Sequence, residues 1–380
     1  RIRIIMKIAE TSVRTASPVS KTLEWVSQSL TQENQIAAYF EPLVQMFVPG
    51  WTTAGVRSKV LQVRPETADV FTLVIRPGRG WKGFSAGQHM QITAEQNGSL
   101  QTRFFSVSSS PAHFKRTGLI EMSIRVQEGG RVTPWLREAF AAGGICNLTQ
   151  AEGEFVLPAG NKPLLMVAGG SGITPFRSML SQMAATNDKR DAHLLFYIRD
   201  DANALFRAEF EKIAAEHSNI KVTFMNGEQT GMFSVAHLEE QCPDFLERKV
   251  MICGPTPMIQ LVRKEIKAAG VADENIMFEY FGAAPIELDR ANDKDAFVNF
   301  ERGGVSAFSS SENPTTLLDL AEANGLKPLA GCRAGVCHQC KCTKKSGVVF
   351  NTLTGQYSDT GKEDIQLCVS VAVQDVVLDV

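Results

Sequence analysis

Cysteine placement constrains this chain more than any other feature. Of its eight cysteines, Cys332, Cys337, Cys340 and Cys342 crowd one short stretch and Cys368 follows later, while Cys146, Cys242 and Cys253 are scattered. A disulfide framework distributes its cysteines to pin distant loops, and this asymmetry does not. The run Cys332-Arg-Ala-Gly-Val-Cys337-His-Gln-Cys340, with Cys368 after a gap of 27 residues, reads C-x4-C-x2-C plus one distant cysteine. That spacing suits a two-iron two-sulfur cluster, in which each iron needs two thiolates besides the bridging sulfides. Gly331 and Gly335 permit close approach of backbone to the sulfurs. Cys342 reads as a non-ligand, because four ligands suffice and strand alternation turns it off the loop. A zinc knot is the competing reading, although zinc sites usually show two C-x2-C hooks and here only Cys337 and Cys340 make one.

The flanks of the cluster loop add a fold. From Asp295, Ala296-Phe-Val-Asn-Phe-Glu alternates as a strand does, Gly303-Gly304 turns, and Val305-Ser-Ala-Phe-Ser returns as the hairpin partner. Asn313 is then expected to cap a helix with Pro314 at its first position and Gly325 as its stop. The segment Thr316-Leu-Leu-Asp-Leu-Ala-Glu-Ala-Asn-Gly-Leu resembles the helix before the cluster loop of plant-type ferredoxins. The resemblance implies a β-grasp ferredoxin domain over 294–380 with Cys332, Cys337, Cys340 and Cys368 as its ligands.

Upstream, Leu164-Leu-Met-Val-Ala-Gly-Gly-Ser-Gly-Ile-Thr-Pro is an apolar strand ending in a Gly-rich turn before a helical pattern. Backbone freed of Cβ atoms, followed by a helix N-terminus, is a place where a nucleotide phosphate can sit. Strand-like runs from His193, Ile220 and Lys249 alternate with helical ones, the rhythm of a parallel α/β sheet. Gly169–Thr174 and Cys253–Pro255 both lie at carboxyl ends of strands, where such sheets bind ligands. Between Val56 and Leu157 the texture is different: short alternating runs at 59–63, 70–75, 89–93 and 119–126, separated by turns, predict an antiparallel barrel. Within it Arg103-Phe-Phe-Ser106 places a cation, aromatic faces and a hydroxyl on one strand.

Taken in order, Arg103-Phe-Phe-Ser106, Gly130-Arg-Val-Thr133, Gly153-Glu-Phe155, Gly169-Gly-Ser-Gly-Ile-Thr-Pro175, Cys253-Gly-Pro255 and Phe278-Glu-Tyr-Phe281 resemble the ferredoxin-NADP reductase superfamily. With a ferredoxin appended, the whole is similar to the single-chain reductases that feed oxygenases, hydroxylases and acyl desaturases. The resemblance implies that Arg103 holds a flavin phosphate, Phe105 packs on the isoalloxazine where relatives often carry Tyr, and Ser106 hydrogen-bonds near N5. It assigns Gly130, Val132 and Thr133 to the flavin pyrophosphate, which favours FAD over FMN. Gly170, Gly172, Ile173 and Thr174 would cradle the nicotinamide dinucleotide, and Cys253, Gly254 and Pro255 would border its nicotinamide. Glu279 and Phe281 match the residues that close over the redox face. Ser106, Cys253 and Glu279 are thus the residues nearest the chemistry, with Cys253 shaping the site rather than acting as a nucleophile. Gly87-Gln-His89 falls on a strand beside the flavin, with His89 read as an ordinary strand residue. Arg199 can face a 2'-phosphate, yet Met232 stands where NADPH-using relatives often carry Arg. The balance leans to NADH and leaves NADPH open.

The expected layout is a helical N-terminal extension over 1–50, a flavin-binding barrel over 51–158, an NAD(P)-binding α/β domain over 159–282, a linker over 283–293 and the ferredoxin domain. A formal charge of -2 supplies no positive field for nucleic acid. No apolar run reaches the roughly 20 residues of a spanning helix. The first ten residues lack the apolar core of a signal peptide, which points to the cytoplasm. The amphipathic N-terminal stretch serves as a barrel cap or as a docking surface, including peripheral contact with a membrane. The expected reaction is passage of electrons from NAD(P)H through FAD and the cluster to a separate oxygenase, hydroxylase or desaturase. The alternatives are another metalloprotein acceptor, such as a hybrid-cluster protein, and a redox sensor without turnover.

Overall fold

The computed structural model describes residues 55–96, 99–127, 132–140, 144–281 and 295–380 except Cys332, Ala334, Val336 and Cys337. The expected N-terminal helices, the linker, Gly130 and two of the four nominated cluster ligands therefore lie outside the described residues.

Six strands form the first sheet: β1 (Val56–Pro65), β2 (Val70–Arg76), β3 (His89–Gln96), β4 (Ser99–Ser106), β5 (Ile120–Arg125) and β6 (Ile145–Leu148), in the order β4-β3-β6-β1-β2-β5 with antiparallel neighbours throughout. The edge strands β4 and β5 approach one another, and the Ser108 amide donates to the Glu121 carbonyl at 2.8 Å. A sheet that curls until its edges meet removes the exposed ladder of an open edge. Val60, Phe71, Leu73, Ile75, Met90, Ile92 and Met122 fill the interior, each at most 1% exposed. Helices α1 (Pro111–Thr117) and α2 (Val132–Ala139) cover two of the connections.

The second sheet is wholly parallel: β7 (Leu164–Gly169), β8 (Ala192–Ile198), β9 (Ile220–Asn226), β10 (Lys249–Gly254) and β11 (Ile276–Tyr280), in the order β11-β10-β7-β8-β9. Near-continuous apolar runs such as Leu164–Ala168 are buried on both faces, as a sheet covered by helices requires. The chain leaves β7 towards β9 and then returns to lay β10 on the other side of β7. This reversal opens a crevice at the carboxyl ends of β7 and β10. Helix α3 (Ile173–Thr186) begins there, α4 (Arg207–Glu216) follows β8, and α5 (Thr256–Ala268) follows β10.

Barrel and parallel sheet share packing. Val70, Ala86 and Phe155 belong to the same apolar cluster as Phe176, Met179 and Met183 of α3. Polar ties run alongside: Ser178 Oγ donates to the Ser109 carbonyl at 2.7 Å, the Ala112 amide donates to Gln182 Oε1 at 2.9 Å, and Arg177 Nη1 lies 2.7 Å from Glu121 Oε2. Burial alone would raise the Glu121 pKa, but the guanidiniums of Arg177 and Arg64 outweigh it and hold the carboxyl below its usual range.

The third unit has a five-stranded mixed sheet, β12 (Ala296–Phe300), β13 (Val305–Ser309), β14 (Lys341–Ser346), β17 (Glu363–Gln366) and β19 (Val376–Leu378), in the order β13-β12-β19-β14-β17. A small sheet of β15 (Val349–Asn351), β16 (Gln356–Tyr357) and β18 (Ser370–Ala372) completes it. Helix α6 (Leu317–Ala323) buries Leu317, Leu318, Leu320 and Ala321 in the same core as Val298 and Phe300, a β-grasp arrangement. The cap differs from the sequence expectation. Thr316, not Asn313, is the N-cap: its Oγ1 accepts from the Asp319 amide at 3.1 Å and donates to Asp319 Oδ2 at 2.7 Å. That reciprocal box satisfies two groups at the helix start, whereas Asn313 and Pro314 offer only local preference. Gly325 follows the helix at φ +83°, in keeping with its expected role as a stop.

Candidate functional site

One antiparallel and one parallel rung converge where the barrel meets the parallel sheet. On the barrel side, the register of β3 and β4 sets His89 opposite Ser106. On the other side, the register of β10 and β11 sets Cys253 beside Glu279. The two rungs are joined directly, because His89 Nδ1 lies 3.1 Å from Glu279 Oε1. Ser106 Oγ and Glu279 Oε2 are buried and make no protein hydrogen bond. Buried polar atoms are normally satisfied, so this hydroxyl and this carboxylate oxygen mark a place built for a polar ligand edge. Cys253 is fully buried, and burial, reinforced by the Glu279 charge, pushes its thiol well above the usual range. A thiol held protonated in apolar packing is a wall of the site rather than a nucleophile.

The crevice itself is made of close backbone approaches. A Cβ on Gly172 would fall 2.2 Å from the Cys253 carbonyl oxygen, and one on Gly254 would fall 3.1 Å from the Gly169 amide nitrogen. Only glycine lets the turn after β7 lie against the end of β10. Ile173 and Thr174 are buried at the start of α3, and Thr174 Oγ1 donates to the Ser171 carbonyl at 3.0 Å. Their side chains therefore shape the turn from within, leaving the glycine backbone and the helix N-terminus to face an anion. Pro255 and Arg199 are exposed at the rim, Arg199 directly after β8.

Arg125 went unnoticed in the sequence because it ends an ordinary alternating strand. Its guanidinium lies 3.9 Å from where a Cβ on Gly170 would stand, Nη1 is 3.5 Å from Asp69 Oδ2, and Nε is buried without a hydrogen-bond partner. A cation with spare donors beside a glycine phosphate turn fits a dinucleotide.

For the flavin, strand alternation puts Phe104 and Ser106 on one face of β4 and Arg103 and Phe105 on the other. Phe105 packs half-buried on the barrel core, Phe104 meets the His89 ring edge-on with centroids 5.7 Å apart, and Arg103 Nη1 donates to the Thr102 carbonyl at 2.7 Å. Val132 and Thr133 open α2. Val132 is 3% exposed in the barrel core and Thr133 Oγ1 accepts from the Gln127 amide at 2.8 Å. Phe281 follows β11 and is 46% exposed, which leaves its ring available to cover a planar ligand.

The cluster end of the third unit is consistent with its nominated ligands. Cys340 and Cys368 are each 3% exposed, and the Leu367 amide donates to the Cys340 carbonyl at 3.1 Å, which draws the two cysteines to one place. Gln366 Nε2 donates to the Gly335 carbonyl at 2.7 Å and thereby ties the cysteine loop to the strand end before Cys368. Cys342 sits within β14 opposite Ile365 and packs on the domain core.

A cavity of about 450 Å³ also opens between α1 and α3, lined in part by His113, Arg116, Arg177 and Glu209. None of the nominated residues reaches it. Arg177 there is already committed to Glu121 and Glu209, so the cavity is the outer end of the clamp between barrel and sheet.

Fold and site together define a nucleotide-linked redox protein with its own iron–sulfur carrier. Family models agree with that class: an oxidoreductase FAD-binding domain matches residues 57–156, an oxidoreductase NAD-binding domain 166–264, and a 2Fe-2S iron–sulfur cluster binding domain 301–373. The chain is 31% identical over 334 residues to an NADPH oxidoreductase of Mycobacterium tuberculosis, covering 87% of this chain and 86% of that protein. It is 26% identical over 342 residues to the glycine betaine monooxygenase reductase subunit of Chromohalobacter salexigens, covering 83% and 92%. Among solved structures, phthalate dioxygenase reductase superposes with a TM-score of 0.56 at 23% identity over 86% of this chain and 98% of that one, a likeness of fold. The chain belongs to the ferredoxin-NADP reductase superfamily, among the single-chain flavin reductases with a C-terminal plant-type 2Fe-2S domain. It is an NAD(P)H-dependent oxidoreductase using FAD and a 2Fe-2S cluster. No helix among the described residues is long and apolar enough to cross a membrane.

Proposed function

We propose that this protein is the reductase component of an oxygenase system, taking electrons from NAD(P)H and delivering them singly to a separate terminal oxygenase. The observation that carries the reading is the join between the His89–Ser106 and Cys253–Glu279 rungs, placed between a flavin barrel and a dinucleotide crevice. Bound FAD supplies the conversion of a two-electron hydride donor into one-electron transfers. The chain's own residues do the positioning. In this reading Arg103 and Gly130, with Val132 and Thr133 at the start of α2, hold the flavin phosphates. Gly170, Gly172 and the first turn of α3 hold the dinucleotide, while Ser106 and Glu279 present oxygens to the facing ring edges. Phe281 covers the ring, and the packed seam excludes water. Cys332, Cys337, Cys340 and Cys368 hold the cluster.

Relatives named as reductase components of monooxygenases support the acceptor class. With this partnership we propose a cytoplasmic site of action. Met232, 81% exposed, offers no cation to a 2'-phosphate, so NADH is the proposed donor, while Arg199 at the rim keeps NADPH open. The test is an anaerobic titration of the purified protein with NADH and NADPH in separate runs, followed by optical and electron paramagnetic resonance spectroscopy, then addition of a candidate oxygenase. Bleaching of the flavin, a reduced two-iron signal and reoxidation by the oxygenase are expected. A cluster that reduces but is never reoxidised by any oxygenase encoded alongside it would overturn the acceptor assignment.

A further inference from the structure

We propose that His89 is a positioning residue that sets the Glu279 carboxylate at the hydride-transfer seam. Sequence reading treats His89 as an ordinary strand residue. The structure gives it four constraints at once. Its backbone is held on both sides of an isolated bridge, with the His89 amide donating to the Glu152 carbonyl at 3.0 Å and the Glu152 amide returning to the His89 carbonyl at 2.9 Å. Its ring lies over Gly153, where φ is +105° and a Cβ would stand 2.8 Å from His89 Cε1, so no larger residue leaves room for the imidazole. Phe104 abuts the ring edge-on. Nδ1 meets Glu279 Oε1 at 3.1 Å, with only 15% and 12% of the two side chains exposed.

With the carboxylate ionised, Nδ1 carries the proton and donates it in the hydrogen bond, which fixes the tautomer. One carboxylate oxygen is thereby occupied and the rotamer is locked. The second oxygen, Oε2, stays buried without a protein partner and is the acceptor left for the ligand edges that meet there. Ser106 lies directly across the ladder from His89, so one strand pair places the hydroxyl and orients the carboxylate. The contact joins residues 190 apart in sequence and crosses from barrel to parallel sheet. It therefore also aligns the two halves that hold the two nucleotides. Small displacements of reacting rings are costly in rate, which is where such a contact acts.

This inference rests on the reading that hydride passes at this seam. The test uses the full-length flavin-loaded protein and three variants. His89→Phe keeps a ring against Gly153 and Phe104 but removes the donor. His89→Asn restores a donor near the Nδ1 position, and Glu279→Gln removes the charge. Anaerobic stopped-flow should show flavin reduction slowed about tenfold or more in His89→Phe, with coenzyme affinity changed less than about twofold, and most of the rate regained in His89→Asn. The double variant His89→Phe/Glu279→Gln should be no slower than Glu279→Gln alone. Independently of turnover, nitrogen NMR of the imidazole should report an Nδ1–H tautomer in the parent protein whose population shifts in Glu279→Gln, where the neutral amide is a weaker acceptor. A normal rate in His89→Phe with an unaltered imidazole signal in Glu279→Gln would overturn the role. If instead Glu279→Gln itself reduces flavin normally while the tautomer still shifts, the contact is real but hydride transfer lies elsewhere, and the seam reading fails with it.

Discussion

Arg125 shows how single residues divide the labour of binding. Its neighbours on β5 are buried, yet its guanidinium reaches the Gly170 turn and keeps Nε buried without a protein hydrogen bond. A charge-assisted hydrogen bond to a phosphate is worth about 1.5–3 kcal/mol. Such a contact, far from the reacting carbon, is equal in ground and transition states and so appears in KM rather than kcat. Arg125→Ala should therefore raise KM for the coenzyme about tenfold or more while leaving kcat within about threefold and flavin content unchanged. Steady-state kinetics with a dye acceptor checks this, and a selective fall in kcat would contradict it. Residues such as Gly172, Ser106, Cys253 and Glu279 were legible in sequence because each sits in a short contiguous motif. Arg125 and His89 were not, because what distinguishes them is a partner supplied by a different strand or a different half of the molecule.

At the scale of elements, strand β8 carries a buried titratable group that makes the parallel sheet sensitive to acid. His193 is 3% exposed, its Nε2 lies 2.9 Å from Thr223 Oγ1 on β9, and burial, with Lys221 and Arg248 nearby, lowers its pKa to about 4. The unfolded chain holds a histidine near pH 6.5. Between these values the unfolded state binds more protons than the folded one, so stability is complete above about pH 6.5 and falls as the pH drops towards 4. The loss at the acid end is on the order of 3 kcal/mol. His193→Gln, which can still bond Thr223, should flatten that part of the stability profile in denaturant unfolding followed from pH 7 to 4. An unchanged slope would locate the acid sensitivity in other groups. The strands themselves were readable from period and length: alternation marked β1, β2, β3 and β5, and apolar runs marked β7, β8 and β10. The helix start at Thr316 was misread because Asn313-Pro314 is a strong local signal, and the box between Thr316 and Asp319 prevails over it only once Leu317, Leu318 and Ala321 must face the core.

Across the whole molecule, apolar packing groups the three units unequally. Barrel and parallel sheet share one core cluster and the Arg177–Glu121 clamp, as rings that must meet in a fixed geometry require. Among the described residues, the core of the third unit is filled by residues from Ala296 onward, as suits a carrier whose cluster must serve a donor and then a partner. The order of the three units was legible because each announces itself by a different texture, whereas the clamp between the first two depends on contacts no local pattern encodes. The packing makes a separable prediction. Cys368 is buried in the third core beside Leu367 and Val369, so Cys368→Ser should abolish the cluster's visible absorption and lower the melting transition of that unit alone. Flavin reduction by NAD(P)H, set in the barrel–sheet seam, should remain within about twofold of the parent rate. Transfer to a one-electron protein acceptor should fall tenfold or more, because the carrier is lost while the hydride site is intact. Calorimetry with parallel stopped-flow and acceptor assays separates these readouts. A matching fall in flavin reduction would mean that the cluster unit supports the seam directly, and that the independent core does not confer independent function.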